Sequence, residues 1–186
     1  MTALESILVN AHKTAAWRDN VSTSTLRTAY RVNGHDYIKS ITAAMMMLGG
    51  MHAPVKQAYL LIHKIIRLLR SGSDEDTINV HIESLLTGYD IIPGFGSHFF
   101  KGEADPILNE ISEAIKDTCH PLYFHVGDII YKHLLNRGKL LYPNLAFYTA
   151  AVALVENRSM TLCEQYLIEA RIVEWRKILE RMEDEE

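Results

Sequence analysis

Two side chains and one loop in this 186-residue chain stand out for the chemistry they could perform: His52, Arg171 and the stretch Tyr89 to Pro106, YDIIPGFGSHFFKGEADP. His52 is followed by Ala53-Pro54, and a proline two residues on suits the first turn of a helix. The positive end of a helix opposes imidazolium, so the ring would stay neutral and donate a hydrogen bond to a carbonyl or enolate oxygen. A cap or a packed polar group is the commoner role for a lone histidine at such a place. Arg171 lies in a stripe of apolar residues, Leu167, Ala170, Val173 and Trp175. A guanidinium so embedded needs an anion, because burying an unpaired charge is very costly. The anion is either a neighbouring glutamate or the carboxylate of a ligand. In the loop, Gly94 and Gly96 open backbone conformations closed to other residues and let another group approach the main chain closely. Ile91, Ile92, Phe95 and Phe99 surround that turn. Its alternatives are a ligand-binding loop and a turn packed on the core.

These groups must be positioned by helices. Leu4, Ile7, Leu8 and Ala11 recur at helical spacing and predict a first helix to about Ala16. A second opens near Ser22, and Asp36 caps a third that carries Ile38, Ile41, Ala44, Met45 and Leu48 and ends at Gly49-Gly50. From Pro54 a long, widely apolar helix runs to about Arg70. Another passes through Ile78, Ile82 and Leu85 into the central loop. Asp105-Pro106 combines a capping side chain with proline at the first position, opening a helix through Leu108, Ile111 and Ile115 that His120-Pro121 breaks. The next, through Val126, Ile129, Ile130 and Leu134, ends near Gly138, and a last one runs from about Ser159 to the acidic tail. Eight helices without a convincing strand make the expected fold all-α. His63, His81, His125 and His133 read as incidental, the last two without a carboxylate or cysteine at convincing spacing.

The loop and four further segments, in this order along the chain, carry a resemblance: NVSTSTLR from Asn20, GGMHAPVKQA from Gly49, IPGFG with His98 and Asp105-Pro106, YPNLAFY from Tyr142, and EARIVEW from Glu169. Together they resemble the citrate synthases and their relatives, the 2-methylcitrate synthases and citryl-CoA lyases, over nearly the whole chain. The resemblance implies a citrate synthase-like helical fold of three parts: large-domain-like helices at 1–51, a small coenzyme A-binding-like domain at 52–145, and large-domain-like helices at 146–186. It implies that His52 polarises an acyl-CoA carbonyl and that Arg171, with Ser22 from the NVSTSTLR match, binds a substrate carboxylate. The second catalytic histidine is matched by Ser97 when counted from PGFG and by His98 when counted back from Asp105-Pro106; His98 is the favoured choice. Backbone groups around Ile91, Ile92, Gly94, Phe95 and Gly96 would face coenzyme A, Lys101 its phosphates and Asn144 its pantetheine arm.

The departures are as informative as the matches. Ala146 stands where the family's aspartate removes the acyl-CoA methyl proton, and loss of a positioned general base forfeits roughly two to four decades of rate. Ile107 replaces an arginine that grips a carboxylate. Ala16 and Trp17 occupy the place of a histidine that binds the keto acid, with His12 the nearest alternative, so that ligand reads as missing. Two functions are compatible with this pattern. One is an acyl-CoA-dependent enzyme or enzyme subunit performing condensation, carbon–carbon cleavage or thioester chemistry with non-standard residues. The other is a catalytically inactive relative acting as a binding or regulatory partner.

Composition sets the outer limits. With hydrophobic residues at 48% and charged residues at 23%, the chain can build a real core. A net charge of -4 gives no global field for nucleic acid or an anionic membrane. Cys119 and Cys163 lack metal-ligand spacing, so no metal is expected, and a reducing cytoplasm is the simplest setting. No stretch is long and apolar enough to span a bilayer. Against the family the chain begins late, so the expected assembly is a homodimer or a pairing with a companion subunit that supplies the missing N-terminal half.

Overall fold

The computed structural model describes residues 1–48, 54–117 and 121–185. Among them are nine α-helices, one 3-10 turn and no strand; a single antiparallel bridge joins Phe95 to Pro143. The chain is therefore all-α, as its periodicity predicts.

Most helix starts are written in capping residues. Thr2 and Glu5 form a reciprocal capping box ahead of α1 (Ala3–Ala16). Asn20 caps α2 (Val21–Val32), placing its opening just before Ser22. Asp36 caps α3 (Tyr37–Met46), which ends before the glycine pair; Gly49 and Gly50 lie outside the described residues. Behind Pro54 comes α4 (Val55–Leu69), and Asp74 caps α5 (Glu75–Thr87). Asp105 caps the 3-10 turn Pro106–Leu108, which leads into α6 (Asn109–Asp117). There follow α7 (Pro121–Asn136), α8 (Leu145–Val155) and α9 (Met160–Asp184), the last capped by Ser159.

Sequence periodicity misses α8. It is buried from Ala146 to Ala153, so it shows no polar face, and a helix wrapped on all sides lacks the 3.6-residue alternation by which surface helices are recognised. It is the central post of the fold, packed by α1, α4, α6 and α9. Around it lies the main core, with Leu8, Leu61, Ile65, Leu86, Ile111, Ile130 and Phe147 among its members. A second core joins the far half of α9 to α1, α2 and α3 through Leu26, Tyr30, Ala44, Trp175, Ile178 and Leu179. Thus α1 belongs to both bodies of packing, while α9 meets α8 through a third, smaller cluster of Leu167 with Ala146 and Ala153.

A buried carboxylate ties the ends of these helices. Glu5, 1% exposed, accepts from Thr2 N at 2.7 Å, from Arg158 Nε at 2.9 Å and from the Tyr166 hydroxyl. These donors hold its carboxyl below the ordinary range in spite of burial. The histidine reading needs one correction. His133 does have a carboxylate partner, Glu83 of α5, which also receives Arg137 Nη2 at 2.9 Å. The partner is 50 positions away, beyond the reach of local spacing.

Candidate functional site

The described site is built on three helices. On α9, Arg171 and Trp175 are four residues apart, so both lie on one face. That face meets the first turn of α2. Trp175 Nε1 donates to Thr23 Oγ1 at 3.1 Å, and Thr23 Oγ1 donates to Ala16 O at 2.8 Å. Arg171 Nη1 reaches Ser22 Oγ at 3.5 Å, a long bond, while Ser22 itself donates to Asn20 Oδ1 at 2.6 Å. Ser22 and Arg171, far apart in sequence, are therefore neighbours.

Arg171 is 8% exposed, and its Nε is buried without a hydrogen-bond partner. Among the described residues it has no carboxylate within ion-pair distance, so the neighbouring-glutamate alternative is not realised; Glu174, one turn on, pairs with Lys177 at 2.8 Å and accepts from Trp17 Nε1 at 2.8 Å. Burial, with a smaller contribution from the Arg18 guanidinium, pulls Arg171 down to about 10. Two arginines and the positive end of α2 converge here. Arg18 is itself neutralised by a two-pronged pair with Asp105, one arm at 2.8 Å, and lies over the Phe100 ring at 4.9 Å. This leaves Arg171 as the uncompensated cation, an arrangement suited to an incoming carboxylate.

His12 completes the cluster from α1. It is fully buried, with Nε2 2.9 Å from Thr149 Oγ1 of α8 and Nδ1 without a partner. Burial first, and then the Arg171 charge, hold its pKa well below the usual imidazole value, so the ring is neutral. Sequence offers His12 only as the nearest alternative to a missing histidine and gives no signal for Arg18: the contacts of each cross more than 80 positions.

Arg18 also connects this cluster to the central loop, through Phe100 and Asp105. The loop is half core and half surface. Ile92 and Phe95 are buried in the main core. Gly94 and Gly96 both have positive φ, +87 and +85. A Cβ at Gly94 would meet Phe147 Cβ at 3.0 Å, so this glycine permits close packing against α8. The expected open backbone is largely engaged within the chain: Gly94 O accepts from Asn144 N at 2.8 Å, Gly96 N donates to Tyr142 O at 2.9 Å, and Gly96 O accepts from Asn144 Nδ2 at 2.9 Å. Asn144 Oδ1 meanwhile caps α8 by accepting from Ala146 N at 3.0 Å. The asparagine is thus a clasp between loop and helix, with both ends of its amide in use.

On the outer side of the loop Ile91 is 69% and Phe99 48% exposed, and His98 and Lys101 are exposed beside them. Lys101 has no ion pair among the described residues. His52 lies outside the described residues. Ala146 is buried in apolar company that includes Val55, Ala153 and Leu167. A separate cleft of about 350 Å³ opens at the C-terminal ends of α4 and α8, between Tyr59, His63, Arg67, Arg70 and Tyr123. Among the described residues no group of three His, Cys, Asp or Glu could hold a metal, and no helix is long and apolar enough to cross a membrane.

No family model and no curated protein matches the chain. Among solved structures, citryl-CoA lyase from Hydrogenobacter thermophilus is similar: the alignment covers 96% of this chain and 71% of the lyase, with a TM-score of 0.68 and 18% sequence identity. An all-helical chain with α8 as its central post, superposing on the lyase over almost its full length, has the citrate synthase-like fold.

Proposed function

We propose that the protein binds a coenzyme A thioester together with a small carboxylate and acts on them as an enzyme, or enzyme subunit, of the citrate synthase type. The observation that carries this reading is Arg171: a buried guanidinium with an unpartnered Nε, set against Ser22 and the start of α2, with no carboxylate among the described residues to neutralise it. An unpaired buried charge is retained at a sizeable stability cost, and a substrate carboxylate removes that cost on binding. In this reading Arg171 and Ser22 hold the carboxylate. The exposed edge of the loop, with Ile91, His98, Phe99 and Lys101, faces the thioester. The role of carbonyl polariser falls to His52, on the resemblance of its segment to the family's. The fold shared with a citryl-CoA lyase supports the same reading.

A second reading rests on Ala146. Where the resemblance places a proton-abstracting aspartate, the chain has a methyl group among apolar neighbours, so a catalytically inactive binding partner is the competing function. Calorimetric titration with acetyl-CoA and with dicarboxylic acids, alongside thiol release in the presence of keto acids, separates the two. Turnover that is lost in His52→Ala with the fold intact supports the enzyme. Saturable binding without turnover, in a preparation reconstituted with any second subunit, supports the inactive relative. Absence of binding to both ligand classes refutes both. Assembly as a homodimer or with a companion subunit belongs to the proposal and is read by sedimentation at several concentrations.

A further inference from the structure

The cleft of about 350 Å³ at the C-terminal ends of α4 and α8 shares no residue with the site around Arg171, and its size is that of a small-molecule pocket. Tyr59, His63, Ile66, Arg67 and Arg70 line it from α4 at helical spacing, so one face of that helix forms a wall. Tyr123 of α7 and Leu154 of α8 add further apolar surface. None of the lining residues is acidic, and α4 contains no aspartate or glutamate from Val55 to Leu69. In the first turn of α4, Lys56 is paired with Glu164 at 2.8 Å. Arg67 and Arg70 have no ion pair among the described residues. The acidic turn beyond them uses Asp74 to cap α5, through Thr77 N at 2.9 Å and Thr77 Oγ1 at 2.8 Å. Two like charges three positions apart on one helix face repel each other. Basic residues in a last turn commonly offset the negative helix end, yet the carbonyls around this cleft already have donors. Leu154 O accepts from the Tyr123 hydroxyl at 3.3 Å, Arg158 O from the Tyr59 hydroxyl at 3.2 Å, and Leu68 O from Ser71 N at 3.0 Å. The same bonds fix both tyrosines and engage their hydroxyls, so the cleft offers their rings. The Tyr59 ring is further stacked on His63, with centroids 6.5 Å apart and planes 16° from parallel.

We infer that this cleft is a second binding site, for a small phosphate monoester carried on a flat ring, with the phosphate on Arg67 and Arg70 and the ring against Tyr59 and Tyr123. A phosphate monoester carries between one and two negative charges at neutral pH and three acceptor oxygens, so one group neutralises both guanidiniums. A carboxylate, with a single charge, leaves one of them uncompensated. The planar fork of arginine matches two oxygens at once. The ring stacks on tyrosine and covers Ile66 and Leu154, which a phosphate alone leaves wet. His63, which reads as incidental in the sequence, lies one turn before Arg67 and supplies a polar group between the two halves of the ligand. The site is remote from the start of its own helix. At about 1.5 Å per residue, the 15 residues of α4 put it roughly 22 Å from the Pro54 end.

The test is calorimetric titration of the intact protein, at constant ionic strength, with phenyl phosphate, ribose 5-phosphate, inorganic phosphate, benzoate and phenol. Phenyl phosphate is expected to bind at least tenfold more tightly than each of the others, because only it joins the dianion to the aromatic ring. Arg67→Gln and Arg70→Gln, both at exposed positions, should each weaken it roughly tenfold, the effect of losing one charge-assisted contact. Tyr123→Leu should reduce phenyl phosphate to the affinity of ribose 5-phosphate. Phosphorus-31 line broadening of phenyl phosphate by the wild-type protein, diminished by Arg67→Gln, reads the same contact without altering a packed residue. Succinate and acetyl-CoA should not displace the ligand. Equal affinity for phenyl phosphate and ribose 5-phosphate, an affinity unchanged in both arginine variants, or displacement by succinate or acetyl-CoA overturns the inference. Absence of phenyl phosphate binding overturns it as well and leaves the reading of Arg171 untouched.

Discussion

Replacing Arg171 by methionine should make the ligand-free protein more stable, although it removes a side chain from the interior. The guanidinium is held at about 10 chiefly by burial, with no carboxylate in ion-pair reach among the described residues. At about 1.4 kcal/mol per tenfold change, that depression corresponds to a penalty on the order of 3 kcal/mol in the folded state. The sign follows from proton linkage. Between about 10 and the ordinary guanidinium value the unfolded chain binds more protons than the native one, so stability rises with pH there, and below about pH 10 the penalty is present in full. Methionine fills comparable volume without charge and forgoes only the long bond to Ser22, so a gain of about 1–3 kcal/mol is expected at neutral pH. For a chain of this size each kcal/mol moves Tm by roughly 2–4 °C. Scanning calorimetry should place Arg171→Met about 4–8 °C above wild type without ligand. The same variant should lose on the order of a hundredfold in affinity for carboxylates, the equivalent of that penalty when it is no longer relieved on binding. The order of stabilities would then reverse at saturating ligand. A variant less stable than wild type when ligand-free, or one whose Tm still rises with added carboxylate as wild type's does, would refute the reasoning.

Glu5→Gln should destabilise the protein by about 2–3 kcal/mol, since charge-assisted bonds to Arg158 and Tyr166 are weakened together. Its carboxyl is depressed in the folded state, so the stabilisation is present above the ordinary glutamate value of 4.5 and disappears as pH falls through the lowered one; acid titration of the variant by circular dichroism should show a shallower loss in that window. Gly94→Ala should cost about 2 kcal/mol or more in urea unfolding, because the added methyl meets Phe147 at 3.0 Å on a backbone with φ of +87°. Ala146→Asp tests the missing base: it should lower thermal stability by placing a carboxylate among Val55, Ala153 and Leu167. If the thioester docks as proposed, it should also raise deuterium exchange at the acetyl-CoA methyl by roughly two decades or more. No change in exchange, with acetyl-CoA bound, would count against that placement of the thioester.

Much of the architecture is written locally. Thr2, Asn20, Asp36, Asp74, Asp105 and Ser159 each cap a helix through bonds to backbone two or three residues ahead, an interaction set by the sequence neighbourhood alone. Amphipathic spacing identifies α1, α4 and α6 for the same reason: one face is buried and the other is wet. The character of Arg171 is readable too, because a guanidinium inside an apolar stripe demands an anion wherever the helix is placed. What local pattern cannot show is α8, whose complete burial erases the alternation, or the partner of His133, which comes from another helix.

The sequence by itself determined that the chain is helical, where most of its helices begin, and that one cation would be trapped in its core. Only the tertiary structure decided what surrounds that cation. It brings Ser22, Arg18 and His12 to Arg171 and places the glutamates among the described residues elsewhere, turns the Gly94–Gly96 backbone toward Asn144, and sets the Thr149 hydroxyl behind the imidazole. The physical reason is range. Caps and periodicity act within a turn or two of helix, whereas the electrostatics of a buried site depend on which distant side chains share its low-dielectric surroundings, and packing alone settles that.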